Sequence, residues 1–327
     1  MNILVTNNQL NRIGGSETFT FTIIEELINQ GHDVEYFTFV NGFVSNKIEE
    51  LLGVSFMSKD RYDLILANHN TTVNKLYKKG FIIQTCHGIF PKLEQPSPKA
   101  NAYVSISQEV QDHLAKLGFP SILIHNSINL ERFRSKNKIN KQVQTVLSLC
   151  HSEEANSFVK DVCIELGLKF KQAYKYKDPV WNIENKINKS DLVVGLGRSA
   201  YEAMACGRPV VIYDNRKYFP SCGDGYVKEI LGFSIKNNCS GRYLNKRYLK
   251  SDFIQEVLKY DPFDSEYLRK FTERELDVKK NILKYLNYAE FIKNRIKTSK
   301  RNRKIKFIKK IIGNRNFNHL AILYKKI

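Results

Sequence analysis

The chain has 327 residues, 42% of them hydrophobic, which suits a globular protein too long for one ordinary core; two α/β domains are expected. No apolar run reaches membrane-spanning length, and Met1 leads into a strand-like run without a signal-peptide pattern, so a cytoplasmic location is expected. The net charge of +19 is uneven, because residues 293–327 hold thirteen Lys and Arg and no Asp or Glu. Cys86, Cys150, Cys163, Cys206, Cys222 and Cys239 show neither CxxC pairs nor metal spacing, and read as reduced, mostly buried thiols.

From the amino terminus, residues 3–6 read as a strand, and the loop 7–15 ends in Gly14 and Gly15 before a helix over 16–29 that Gly31 stops. The phrase there is GGSE, with Glu17 in the first helical turn. A dinucleotide-binding Rossmann unit needs GxGxxG in a short turn directly after its strand, and the lack of it argues against a dehydrogenase. Strands over 33–40, 62–67 and 81–85 alternate with helices over 46–52 and 71–79, the pattern of a parallel sheet covered on both faces. His87, in TCHGIF, stands at the carboxyl end of a strand, where open sheets carry ligands, although a lone histidine is more often a structural hydrogen-bonder. A strand over 103–106 leads to a helix over 108–117, capped by Ser107 and ended by Gly118. The segment ILIHNSINLERF, 122–133, contains Asn126 and Phe133, and the polar run 134–144 after it reads as a linker.

The second half opens with a strand over 143–149, a helix over 153–166 stopped by Gly167, and a strand over 168–173 followed by Tyr174, Lys175 and Tyr176. Its organising stretch is 190–214. There a strand over 191–194 is broken by Gly195 and Gly197, and a helix over 200–206 is closed by Gly207 before the buried strand 210–212. Ser199 stands three residues before Glu202, the capping-box arrangement. A helix entered through glycines aims bare N–H groups and a positive dipole end beyond the preceding strand, so an anion site is expected at Gly197, Arg198, Ser199 and Ala200. Arg198 reads either as added positive charge there or as an exposed arginine. The loop to Gly225, with Arg216, Lys217 and Cys222, is placed over the ligand, with Asp224 as a turn former. No Asp-x-Asp occurs, so no tightly bound metal is expected. Helices are expected over 252–260 and 265–294.

EAMACGRPVV after a glycine turn resembles the donor-binding signature of GT-B fold glycosyltransferases, most closely the large family 4 of retaining enzymes. The resemblance spans most of residues 1–290 and implies two Rossmann-like domains flanking a cleft. It implies a nucleotide diphosphate sugar as co-substrate, with no tightly bound cofactor. By the same resemblance the helix start receives the diphosphate, Glu202 holds the ribose, the Gly14–Gly15 backbone comes close to donor and acceptor, and His87 faces the donor sugar as the candidate catalytic residue. For Glu202, a cap on its own helix is the competing role. Asn126 matches the family's entry into the interdomain connection. The chain departs from the family where relatives carry a second glutamate, here Val194, and where they carry a Gly-Arg pair and a lysine, here Leu149 to Ser152. His151 or Arg198 is the available substitute. Tyr174 to Tyr176 lies where relatives hold the nucleobase, and reads equally as a surface loop.

The expected organisation is an N-terminal acceptor-side domain over 1–135, a donor domain over 136–290 and a basic helical tail over 291–327. In the tail, Ile305, Ile308, Ile311 and Ile312 share a face among lysines, which suits an anionic membrane surface or a helix that crosses back onto the first domain. Nucleic acid is disfavoured, since no aromatic platform accompanies the charge. The expected activity is transfer of a sugar to a hydroxyl of a glycan or lipid-linked acceptor in cell-surface or polysaccharide biosynthesis. A GT-B scaffold that binds a partner without catalysis is the alternative.

Overall fold

The computed structural model describes residues 1–174, 176–177, 179–216 and 222–312, with the backbone alone for 300–302 and 304–312. Lys175, Lys217, the isoleucine face of the tail and all of 313–327 therefore lie outside the described residues. Residues 1–283 form one compact unit and 284–327 a second.

The first unit holds two sheets. The first contains β1 (Asn2–Gln9), β2 (Asp33–Val40), β3 (Tyr62–Ala67), β4 (Gly80–Cys86), β5 (Ala102–Ser105) and β6 (Ser121–Leu123). Its helices are α1 (Gly15–Asn29), α2 (Phe43–Leu52), α3 (Asn70–Leu76) and α4 (Gln108–Lys116). All six strands run parallel in the order β2-β1-β3-β4-β5-β6. Covered on both faces, such strands read as near-continuous apolar runs. Ile3, Leu4 and Val5, like Leu64, Ile65 and Leu66, are accordingly buried.

The second sheet contains β7 (Thr145–Ser148), β8 (Lys169–Gln172), β9 (Leu192–Gly195), β10 (Val210–Tyr213) and β11 (Gly223–Tyr226), in the order β11-β10-β9-β7-β8. Around it lie α5 (Glu153–Glu165), α6 (Ile183–Asn188), α7 (Arg198–Ala205), α8 (Val227–Ser234), α9 (Lys250–Leu258) and α10 (Asp264–Glu275), and α11 runs over Val278–Ile312. The core of this half joins α7 and β10 to α8 and α10 through Tyr201, Met204, Ile212, Leu231 and Leu268. All six cysteines are buried and unpaired.

Two expectations are corrected here. The loop expected to reach Gly225 is in part a strand, β11, antiparallel to β10. Asp224 is buried rather than a surface turn former, accepting from Ser234 Oγ at 2.6 Å and Leu244 N at 2.9 Å. The helix expected over 265–294 is two helices. Ile128 N donates to Leu276 O at 2.7 Å, and Val278 N donates to Ile128 O at 3.1 Å, so the connection between the sheets takes backbone groups a continuous helix would use internally.

Candidate functional site

In each sheet the chain leaves the first strand in one direction and returns on its other side, between β1 and β3 and between β7 and β9. Open α/β sheets bind ligands beyond the carboxyl ends of the strands at such switch points. A cavity of about 560 Å³ lies there, lined from both sheets, a volume within the range of small-molecule sites. Gly14, Gly15, His87, Gly197, Arg198, Ser199 and Glu202 all line it. Ala200 does not; its side chain is fully buried in the core of the second half.

The wall from the second sheet is built by the turn into α7. Gly197 has φ 56° and ψ −125°, a backbone that an L side chain resists, and its N–H is pinned to Cys239 O at 2.8 Å. This lets the helix begin at Arg198, earlier than expected, and Ser199 falls inside the first turn instead of capping it. The capping box is therefore absent. Glu202 turns instead to Arg198, one helical turn back on the same face, accepting from its Nε at 2.8 Å with both side chains nearly buried. Burial pushes the Glu202 carboxyl up and the Arg198 guanidinium down, and their mutual attraction opposes both shifts. The reading of Arg198 as an exposed side chain does not hold, and its charge at the α7 start is matched by Glu202. Its remaining nitrogens donate to Ser127 O and Thr22 Oγ1, each at 2.9 Å, tying α7 to the sheet connection and to α1. What the turn leaves available are the N–H groups of Arg198, Ser199 and Ala200, which have no partner among the described residues.

The same wall carries residues that sequence reasoning missed. Arg132 pairs with Glu184 at 3.3 Å and stands 5.0 Å from the ring of Trp181, which meets Phe21 and Phe43 edge-on from α1 and α2. Arg216, paired with Asp214 at 2.8 Å, also lines the cavity, as do His151 and Tyr176. The segment ILIHNSINLERF contained Arg132, and Trp181 is the only tryptophan, but nothing local placed either at the site.

The wall from the first sheet rests on a neutral network. Asn68 Nδ2 donates to Thr6 O at 3.0 Å and to Thr20 Oγ1 at 2.9 Å, which fixes the amide and leaves its Oδ1 facing His87 Nε2 at 3.0 Å. His87 is thereby held as the Nε2–H tautomer, and Nδ1 is left as an acceptor. Burial, with His69 and Arg198 nearby, pushes His87 down to about 3, so the ring is neutral at pH 7. Phe19 packs edge-on against it, ring centroids 5.0 Å apart. Gly14 is extended, and the end of the Glu17 side chain folds over it, so that an added Cβ would meet Glu17 Oε2 at 2.3 Å unless that side chain moved. Glu94, on a short 3₁₀ turn (Lys92–Glu94), also lines the cavity, and no motif marked it. Asn126 donates to Asn238 Oδ1 at 2.9 Å, so the expected connection residue does bridge the two halves at the cleft. Among the described residues no group of three or more His, Cys, Asp or Glu side chains could hold a metal ion.

No protein-family model matches the sequence, and no curated protein is detectably similar to it. Solved structures are. An alpha-glucosyltransferase in complex with UDP and a 13-mer DNA containing an HMU base matches with a TM-score of 0.53 at 11% identity, covering 89% of this chain and 99% of that one. MurG of Acinetobacter baumannii matches with a TM-score of 0.51 at 8% identity, covering 90% and 99%. The two parallel-sheet domains and the cleft at their strand ends are thus those of the GT-B fold, the α/β architecture expected from the sequence.

Proposed function

We propose that the protein is a glycosyltransferase that moves a sugar from a nucleotide diphosphate donor to a hydroxyl acceptor. The observation that carries this reading is the convergence, in one cavity, of unpartnered N–H groups at the start of α7 and the fixed His87 ring from the opposite sheet. In this reading the N–H groups of Arg198 and Ser199, with that of Ala200 just behind them, face the diphosphate and stabilise the charge that grows on it as the glycosidic bond breaks. Glu202, held by Arg198, accepts from the ribose hydroxyls through its remaining lone pairs. His87 Nδ1 accepts from a donor-sugar hydroxyl, and the Gly14–Gly15 backbone approaches the same sugar.

Membership of family 4 rests on EAMACGRPVV and its glycine turn. Retention of anomeric configuration, which that resemblance implies, has no support at Val194, where the family carboxylate is replaced by a buried aliphatic side chain. A glycan or lipid-linked acceptor remains the reading of the sequence. The expectation against nucleic acid gains nothing from the comparisons, since one similar enzyme is bound to DNA. No helix among the described residues is long and apolar enough to cross a membrane, and contact of 293–327 with an anionic surface rests on its charge pattern alone.

The test is thermal unfolding with UDP, GDP, ADP and dTDP. A nucleotide present at about 100 times its dissociation constant adds about 2.7 kcal/mol of stability. Selective stabilisation by one of the four supports the donor site, and no effect from any of them supports a scaffold without a donor.

A further inference from the structure

Glu94 is a cavity-lining carboxylate that the donor reading leaves unused. It has no hydrogen bond or ion pair from its side chain among the described residues. Its carboxylate lies against Gly88, the residue after His87, where an added Cβ would come within 2.5 Å of Glu94 Oε2. Across the same lining, Glu17 of α1 is 6% exposed and accepts from Ser16 Oγ at 3.0 Å. Both carboxylates come from the half of the chain that carries the first sheet, and they line the same cavity as the α7 start.

Resting on the glycosyl-transfer reading, we propose that Glu94 is the general base of the reaction, with Glu17 as its positioning neighbour. Glu94 takes the proton of the acceptor hydroxyl while that oxygen bonds to the anomeric carbon. The bond from that carbon to the diphosphate oxygen breaks, and its electron pair leaves with the nucleoside diphosphate; the proton on Glu94 then passes to solvent. Burial first, and the charge of Glu17 second, push Glu94 up to about 7, where a base is half unprotonated at working pH and strong enough to act. His87, held near 3, is too weak a base for the task. Of the titratable groups around Glu94 on β4, Cys86 is pushed up to about 12 and His87 is neutral, and Lys92 on its own turn is exposed, which leaves Glu17 as the charge that raises it.

The experiment uses the full-length chain and the nucleotide that stabilises it, supplied as its glucose, galactose and N-acetylglucosamine conjugates with water as acceptor. Release of nucleoside diphosphate is measured beside nucleotide affinity. Glu94→Gln is expected to slow release by about 100-fold with an unchanged nucleotide dissociation constant. Glu17→Gln is expected to move the acid limb of the rate profile to lower pH, because the like charge that raises Glu94 is gone. Release by Glu94→Gln within about threefold of wild type overturns the base. So does wild-type chain that binds nucleotide yet releases none from any conjugate, since a poised base activates water. An unmoved acid limb in Glu17→Gln overturns the positioning role. Loss of nucleotide binding by the wild type itself would instead sink the donor reading, a result distinct from all of these.

Discussion

The two walls of the cavity are polar in different ways. On the side of the second sheet, Arg198, Arg132 and Arg216 are each paired with a carboxylate, and the unmet capacity lies in backbone N–H groups at the start of α7. On the side of the first sheet, a neutral chain of Asn7, Thr20, Asn68 and His87 is bonded end to end, and the unmet capacity lies in the Glu17 and Glu94 carboxylates. Fixed dipoles stabilise developing negative charge without rearranging, whereas proton transfer needs a group that titrates near working pH. The asymmetry fits the proposed division, with anion binding on one wall and acceptor activation on the other.

The largest effect expected from breaking this arrangement comes from Glu202→Ala. It strands Arg198 in a nearly buried position, and removing one partner of a buried pair costs about 3–5 kcal/mol of folding stability. Glu202→Gln keeps an acceptor for Arg198, so denaturant titration should show a smaller loss while nucleotide affinity still falls. Equal stability of the alanine variant and wild type would show that the pair does not hold the wall.

Gly197→Val tests the dipoles themselves. A side chain at φ 56° adds strain of about 1–3 kcal/mol. Space is not the obstacle, because the nearest atoms to an added Cβ are those of Asn238 at 3.6 Å. Circular dichroism should report a folded protein, and calorimetry should report lost nucleotide binding; intact binding would move the anion site away from α7.

The neutral wall is tested by pH. His87 is held near 3 in the folded chain against an ordinary 6.5, so the unfolded chain binds the extra proton between those values. Its contribution to stability is full above pH 6.5 and is lost as pH falls toward 3, by about 1.4 kcal/mol per unit. Denaturation of His87→Gln from pH 6 to pH 4 should show a slope shallower by that amount. His69, pushed down to about 4, keeps part of the slope in the variant.

The smallest effect is expected at the rim, where Arg242 Nε donates to Glu109 Oε1 on α4 at 2.9 Å and links the two halves. Both side chains are partly exposed, and Glu109→Ala should cost no more than about 1 kcal/mol, with nucleotide affinity unchanged. A large loss of affinity would mean that this link, rather than Arg198, sets the cleft.

The fold and the α7 turn were legible because their signals are local. Alternating apolar runs and helix stops specify parallel layers, and strand, glycine turn, helix and Gly207 sit within 25 residues of sequence, 190–214. The same locality misled at Ser199. The left-handed Gly197 starts the helix early, and Glu202 finds Arg198 one turn away instead of the backbone behind it. Glu94, Trp181 and Arg132 carried no local signal, since their place depends on loops brought to the strand ends from far apart in the chain. By itself the sequence determined the architecture and the strand, glycine-turn and helix unit at α7, because backbone geometry and periodicity are written residue by residue. Which charges are matched, which tautomer His87 adopts and which carboxylate stands free at the cavity were decided only by tertiary structure, because each depends on partners many residues away and on the burial they create together.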